Sequence, residues 1–469
     1  MNELIFALTV GLLICVNIII AFIRQNGEHK TFLQYAADPN QNKYSIIALT
    51  LTSTIVGGGM FLAVGQMGYE SRYVGLALGI VYIIGLGFVG IFTKKIRQMM
   101  EDQNCYTLLD FLSANYDKKV TIQFTIVNFI MYLFLLSSQF IAMYQLISFM
   151  ETKMVNNYIP YLLVGLAIIA LFLYPIIGGI RKDIQTDIVQ MAVLFIAGIF
   201  IIYQLANHHV VSEVFISGNF TVPETNNYGI VFIISSILFL TPLFFVRMDM
   251  WQRINTAKTA KDATYGFWIA GILSFVFYIL FTLIGSYANA LGFEDGKFAS
   301  LNTLFAVFNN PIILGFVIGA FFAAVLSSAD TLINNVSIFA TKMCFPKSNF
   351  SKEDSDSNKL LKFSRLSAIF LTFIAIGLSF LIPDMVDLLI GAFSLLLIFF
   401  PTIIGLLFRH NNSNASFYSA FFGLLVFVCC FFFWNPKLAF VPAVIISFII
   451  YFPYYFISRK KKELIQEKS

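Results

Sequence analysis

Apolar runs long enough to cross a bilayer alternate along the whole chain with short polar connectors. They fall at about 4–23, 44–67, 73–92, 120–150, 158–177, 184–205 and 229–246, then at about 265–291, 312–343, 361–382, 385–408, 416–434 and 438–457. A helix needs about 20 apolar residues to span the hydrocarbon layer, and most of these runs reach that length. The pattern predicts an all-α polytopic membrane protein of about 13 transmembrane helices. The first run has no basic stretch before it and no small-residue cleavage site after it, so it reads as a retained helix rather than a signal peptide.

Lysine and arginine test that count. The odd-numbered connectors hold Arg24, Lys30 and Lys43, then Lys94, Lys95, Arg97, Lys118 and Lys119, then Arg181 and Lys182, then Arg253, Lys258 and Lys261, and so on to Arg409 and the basic tail at 459–469. The even-numbered ones hold only Arg72, Lys153, Lys297 and Lys437. Positive charge stays on the cytoplasmic side. The alternation therefore places the N-terminus outside and the C-terminus in the cytoplasm of a multi-pass cell (inner or plasma) membrane protein. The connector 205–228, free of lysine and arginine, then lies outside. Its Asn219-Phe220-Thr221 sequon would matter only in a eukaryotic secretory pathway.

Two spans are interrupted. Gly57-Gly58-Gly59 breaks the second and Thr241-Pro242 the seventh. Glycine triplets also serve close helix packing, and membrane helices tolerate a proline. Yet these interruptions lie five spans apart. Interruptions at matching places in two halves point to a transporter built from an inverted repeat around a midplane site.

Composition removes other classes. Of 469 residues, 58% are hydrophobic and 12% charged, which excludes a soluble globular domain. The net charge of +5 implies no nucleic-acid partner, because the basic residues sit between the apolar runs and in the tail. The five cysteines have neither metal nor disulfide spacing, and the four histidines lie in connectors. There is no HExxH, no nucleotide loop and no paired intramembrane histidine, so an enzyme is not expected.

The most informative polar positions are inside the run 312–343. Ala324, Ser327, Ser328 and Thr331 recur at i, i+3, i+4 and i+7 and share one helix face. Hydroxyls there either bond back to their own helix or offer oxygen to a hard cation.

Four stretches resemble the sodium:solute symporter family. They are Gly178-Gly179 followed by Thr186-Asp187-Ile188-Val189-Gln190, Phe61 to Tyr69, Asp249-Met250-Trp251-Gln252-Arg253, and Ala323 to Asp330. They occur in order, in matching helices, over most of the chain. The resemblance implies a LeuT-type core. Residues 1–42 would form an extra helix and connector, 43–204 a first five-helix repeat, 205–228 the outer connector, 229–409 a second repeat inverted on the first, and 410–469 two further helices and the basic tail. It implies a sodium-coupled symporter that imports a small polar organic solute by alternating access, with Na+ as the coupling ion and the bilayer as its medium. A monomer would suffice for transport.

The resemblance also implies a sodium site formed by carbonyls of Ser53 and Val56, the carbonyl of Ala324 and the hydroxyls of Ser327 and Ser328, with the Asp187 carboxylate nearby. The alternative for Asp187 is a helix-start carboxylate held by the N-terminal dipole. A second sodium at Asp330 and Thr331 is one option; a cap or pair at Asp330 is the other. The substrate positions implied are Met60, Gln66, Gln139, Thr241, Phe244, Phe245 and Ser394. No lysine or arginine lies mid-helix, and Arg247 lies near an end, so a neutral or zwitterionic solute is favoured over a strongly anionic one. Two other readings stay open: a transporter-like sensor module, disfavoured by a tail too short for a kinase domain, and proton coupling on the same fold.

Overall fold

The computed structural model describes residues 2–22, 31–156, 158–177, 179–210, 230–345, 355–381, 385–434 and 438–466. The sequon and most of the outer connector, 211–229, lie outside the described residues. Helices run in order as α1 (Glu3–Phe22), α2 (Phe32–Ala36), α3 (Tyr44–Ile55), α4 (Gly58–Glu70), α5 (Val74–Asp102), α6 (Leu108–Asn115), α7 (Lys118–Lys153), α8 (Tyr158–Ile177) and α9 (Ile180–Ala206). They continue as α10 (Ile230–Val246), α11 (Met248–Thr256), α12 (Ala260–Ala290), α13 (Ala299–Val307), α14 (Pro311–Cys344), α15 (Ser355–Leu381), α16 (Met385–Leu397), α17 (Phe400–Leu407), α18 (Ser413–Phe433) and α19 (Phe440–Gln466). Among the described residues no β-strand forms; one bridge joins Asn42 to Ala257. With no water in the hydrocarbon core, helices satisfy every backbone group within the segment.

Among the described residues, ten stretches are long and apolar enough to cross a membrane singly, and two bent pairs pass the same test jointly. The helix α8 is apolar too, with a shorter apolar stretch at Tyr158–Leu173. This gives 10 to 12 candidate spans among the described residues, where the apolar runs suggested about 13. Spans two and seven are the bent pairs: α3 and α4 meet at 63°, α10 and α11 at 57°.

The centre of the bundle is α14, buried along nearly its whole length from Leu314 to Lys342. Its start is fixed by Asn310, whose side chain accepts from the amides of Ile312 and Ile313, followed by Pro311. It packs against α1, α7, α9 and α15. On the other side of the broken pair, α12 packs against α3, α4 and α5. The first broken helix is thereby held between α14 and α12, which brings its interruption to the middle of the protein.

Candidate functional site

At the first break α3 ends at Ile55, Val56 leaves helical geometry and α4 restarts at Gly58. A β-carbon at Gly57 would collide with Ser328 Oγ, and one at Gly58 with the Val325 side chain. The glycines are therefore needed for close approach, since Gly57 has an ordinary φ of -77°. They let the open turn of the chain rest directly on the hydroxyl face of α14.

Oxygens converge there. Ser53 Oγ lies 2.7 Å from Ser327 Oγ, and Ser327 donates to Asp187 Oδ1 at 2.5 Å. Thr50 donates to the other Asp187 oxygen. Ser328 donates to the carbonyl of Thr54 at 3.2 Å. Val56 and Ala324 are wholly buried on the same two stretches. Ser53, Ser327, Ser328 and Asp187 are thus gathered from three separate segments. Asp187 is fully buried in the second turn of α9, and its carboxylate faces α3 and α14. The turn into α9 depends on Gly179, whose φ of 146° and proximity to the Tyr35 backbone admit no side chain.

A second layer was not expected from the sequence. Arg253 of α11 is 1% exposed and reaches Asp183 at 2.7 Å and Asp187 at 3.5 Å. Its Nε donates to Thr50 Oγ1 at 3.2 Å and its Nη2 to Thr331 Oγ1 at 3.2 Å. Thr331 in turn donates to Asp183 at 2.8 Å. Asp330 is buried beside Thr186 and close to the same carboxylates. Three buried carboxylates therefore surround one buried guanidinium. A buried charge is costly unless it is paired, so this arrangement favours a further positive charge nearby. Arg253 stood in the sequence as part of a motif and as one of the connector charges; nothing local revealed its partners.

The second break is not at Thr241-Pro242. Pro242 sits inside a continuous α10, and the chain bends at Arg247, which is extended (φ -80°, ψ 127°). The reason lies in the hydrogen bonds available beyond that residue. The Tyr132 hydroxyl of α7 accepts from the amides of Met248 and Asp249 at 3.0 and 3.3 Å, and it donates to Asp249 Oδ1 at 2.9 Å. Trp251 Nε1 donates back to the carbonyl of Phe245 at 2.7 Å. Both freed helix ends thus find partners at 247 and need none at 242.

Between the breaks lies a cavity of about 50 Å³. Met60 and Gln139, two of the substrate candidates, line it together with Tyr82, Arg247 and Phe393. Thr54, Gly57 and Ser328 line it as well, so the cavity and the oxygen cluster share a wall. The other substrate candidates lie outside this lining. Gln66 is half-buried further along α4. Thr241 packs against Gly85 with its hydroxyl unpartnered. Phe244 sits behind Tyr82, edge-on with centroids 5.5 Å apart. Phe245 belongs to an aromatic cluster with Phe88, Phe92 and Phe400. The Ser394 hydroxyl donates to the carbonyl of Ile390. The sequence reading also discounted Arg247 as lying near a helix end; in the structure it is 7% exposed and lines the cavity.

Two discontinuous helices, an oxygen-lined cluster at one break and a polar cavity beside it define a polytopic secondary transporter of the LeuT and Mhp1 fold. The sequence model of the Sodium:solute symporter family matches residues 43–425, and the chain belongs to that family. A sodium/glucose cotransporter of Vibrio parahaemolyticus is 21% identical over 416 residues, covering 79% of this chain and 73% of that protein. Among solved structures, a Na+-coupled sialic acid symporter in a substrate-bound outward-open state superposes with a TM-score of 0.74 at 17% identity, over 97% of this chain and 98% of its own. The inward-facing form of Mhp1 superposes with a TM-score of 0.54 at 15% identity, over 94% and 95%. The protein is a sodium-coupled symporter, not an enzyme.

Proposed function

We propose that one sodium ion binds where α3 breaks against α14, held by the carbonyls of Ser53, Val56 and Ala324 and the hydroxyls of Ser327 and Ser328. The single observation behind this reading is the chain of oxygens from Ser53 through Ser327 to Asp187 and Thr50. A hard cation takes oxygen ligands, and an unwound helix turn supplies carbonyls that a continuous helix would consume. The carboxylates around Arg253 add the negative charge that such an ion offsets. On this reading the hydroxyls of Ser53 and Ser327, which bond to each other here, turn their lone pairs to the ion when it enters.

The co-transported solute is a small polar organic molecule, neutral or zwitterionic, bound in the cavity that Met60 and Gln139 line. The Arg247 charge there is matched by Asp249, which leaves that wall without net charge. Solute pockets measure roughly 300–1,000 Å³, so the flanking helices part to admit one. The shared wall at Thr54, Gly57 and Ser328 supplies the coupling: ordering the break around sodium also orders one side of the solute cavity. The two repeats, 43–204 and 229–409, rock about this centre in a single copy of the chain, in a cell membrane, with the N-terminus outside. Asp330 and Thr331 remain the candidates for a second ion, although Thr331 is already bonded to Asp183 and Arg253.

The driving force for a neutral solute follows. One charge crossing about 100 mV releases roughly 2.3 kcal/mol, and a tenfold sodium gradient adds about 1.4 kcal/mol. Together they support accumulation by a few hundred-fold. Purified protein in vesicles with an inward sodium gradient should concentrate its solute to that order. Uptake that persists when potassium replaces sodium, and that follows pH instead, would mean proton coupling.

A further inference from the structure

We propose that Arg247 is the anchor for a carboxylate of the transported solute, and that the solute is a small zwitterion carrying an ammonium donor beside that carboxylate, of the 2-amino-acid class. The inference rests on the solute site assigned above and narrows it.

Arg247 is the charged side chain of the cavity lining. Its Nε and Nη2 are both committed to Asp249, at 3.0 Å to Oδ1 and 2.6 Å to Oδ2. Among the described residues nothing accepts from Nη1, so one edge of the guanidinium keeps unused donors. Asp249 is itself held by the Tyr132 hydroxyl, and the guanidinium lies over the Phe393 ring at 5.7 Å. The cation is therefore held on both sides by its neighbours, and it forms part of the cavity wall. A guanidinium edge matches a planar carboxylate through charge-assisted hydrogen bonds. A neutral hydroxyl would answer the same donors more weakly.

The second observation is on α7. Gln139 is 6% exposed and lines the same cavity, and its Oε1 has no hydrogen-bond partner. An unpaired buried acceptor is costly to leave and marks a place where a ligand donor fits. A free cationic edge and a free neutral acceptor on the walls of one cavity ask for a ligand with an anionic group at one end and an ammonium N–H at the other. The Asp249 charge keeps the empty site near neutrality, so the arriving carboxylate meets no bare positive field from a distance and is selected by short-range geometry.

The test uses the purified full-length protein and its thermal stability in sodium and in potassium buffer. The probes are matched pairs: small 2-amino-carboxylates and their carboxamides, with glucose as the neutral polyol. Carboxylates should stabilise the protein in sodium, and their amides and glucose should not. Arg247→Gln should weaken the carboxylate response by about 10- to 100-fold and leave the response to sodium alone intact. Because Arg247→Gln strands Asp249, the double variant Arg247→Gln/Asp249→Asn removes the pair together, and it should show the same loss. Gln139→Leu should lower affinity for the same ligands without creating a response to amides. Stabilisation by glucose or amides equal to that by carboxylates, a carboxylate response that survives in the double variant, or no carboxylate response at all overturns the assignment. Loss of the response to sodium alone in the parent protein would instead count against the sodium site.

Discussion

The two helix breaks are built from opposite materials. At the α3–α4 break the groups in direct contact are glycines, Thr54, Ser53 and, from α14, Ser327 and Ser328, with the Asp187 carboxylate one hydrogen bond behind Ser327. At the α10–α11 break the neighbours are Arg247, Asp249 and the Tyr132 hydroxyl that binds two backbone amides. The first is crowded by an adjacent helix and opens carbonyls; it is suited to a bare cation. The second is propped by side chains and presents a guanidinium; it is suited to an anion. A discontinuous helix is therefore not one device. What surrounds the break decides which end of the peptide dipole is put to use.

Arg253 ties the two together, since it stands on α11 and bonds Thr50 on α3 as well as Asp183. Its removal should have the largest effect. Arg253→Ala leaves buried carboxylates without their counter-charge and should destabilise the protein by about 3–5 kcal/mol. Thermal unfolding of the detergent-solubilised protein measures this; a loss under 1 kcal/mol would mean that the two breaks are not coupled through this residue.

Ser328→Ala acts first on the α3–α4 break, whose Thr54 carbonyl its hydroxyl meets. A lost buried polar contact is worth roughly 1–3 kcal/mol, which corresponds to about 5- to 150-fold in apparent sodium affinity. The helix itself should not suffer, because alanine is the better helix former. Ser337→Ala on the same helix is the comparison. Ser337 bonds Ser364 at 2.9 Å and the Asn334 carbonyl, away from the oxygen cluster. It should lower stability slightly and leave sodium dependence unchanged. A sodium titration giving equal shifts in the two variants would remove the ion from the break.

The smallest effect is expected at Thr241. Its hydroxyl has no partner, it lies outside the cavity lining, and the bend begins at Arg247. Thr241→Val should stay within about 0.5 kcal/mol of the parent in stability and leave solute affinity unchanged. A large loss of solute affinity would move the charged break's working surface back to 241.

Hydropathy, the charge alternation and the spacing of Ala324, Ser327, Ser328 and Thr331 were sufficient to set the helices, the oxygen-bearing face and the first interruption, because each is a property of neighbours in sequence and of transfer into hydrocarbon. Met60 and Gln139 were solute candidates through the resemblance to the family, and both line the cavity. The rest depended on packing between distant segments. Thr50 meets Asp187 across 137 residues, and Ser53 meets Ser327 across 274. Arg253 finds Asp183 and Asp187 only once α11 lies beside α3 and α9. The bend falls at Arg247, not at Pro242, because a tyrosine from α7 supplies the hydrogen bonds a helix end requires. The same packing turns Arg247 into the cavity and seals Phe245 away from it. Local pattern determines which segments are helical and which faces are polar; which polar groups meet is decided by how the helices stack, since an unpaired charge or an open helix end in hydrocarbon has a partner from elsewhere in the chain or is not tolerated.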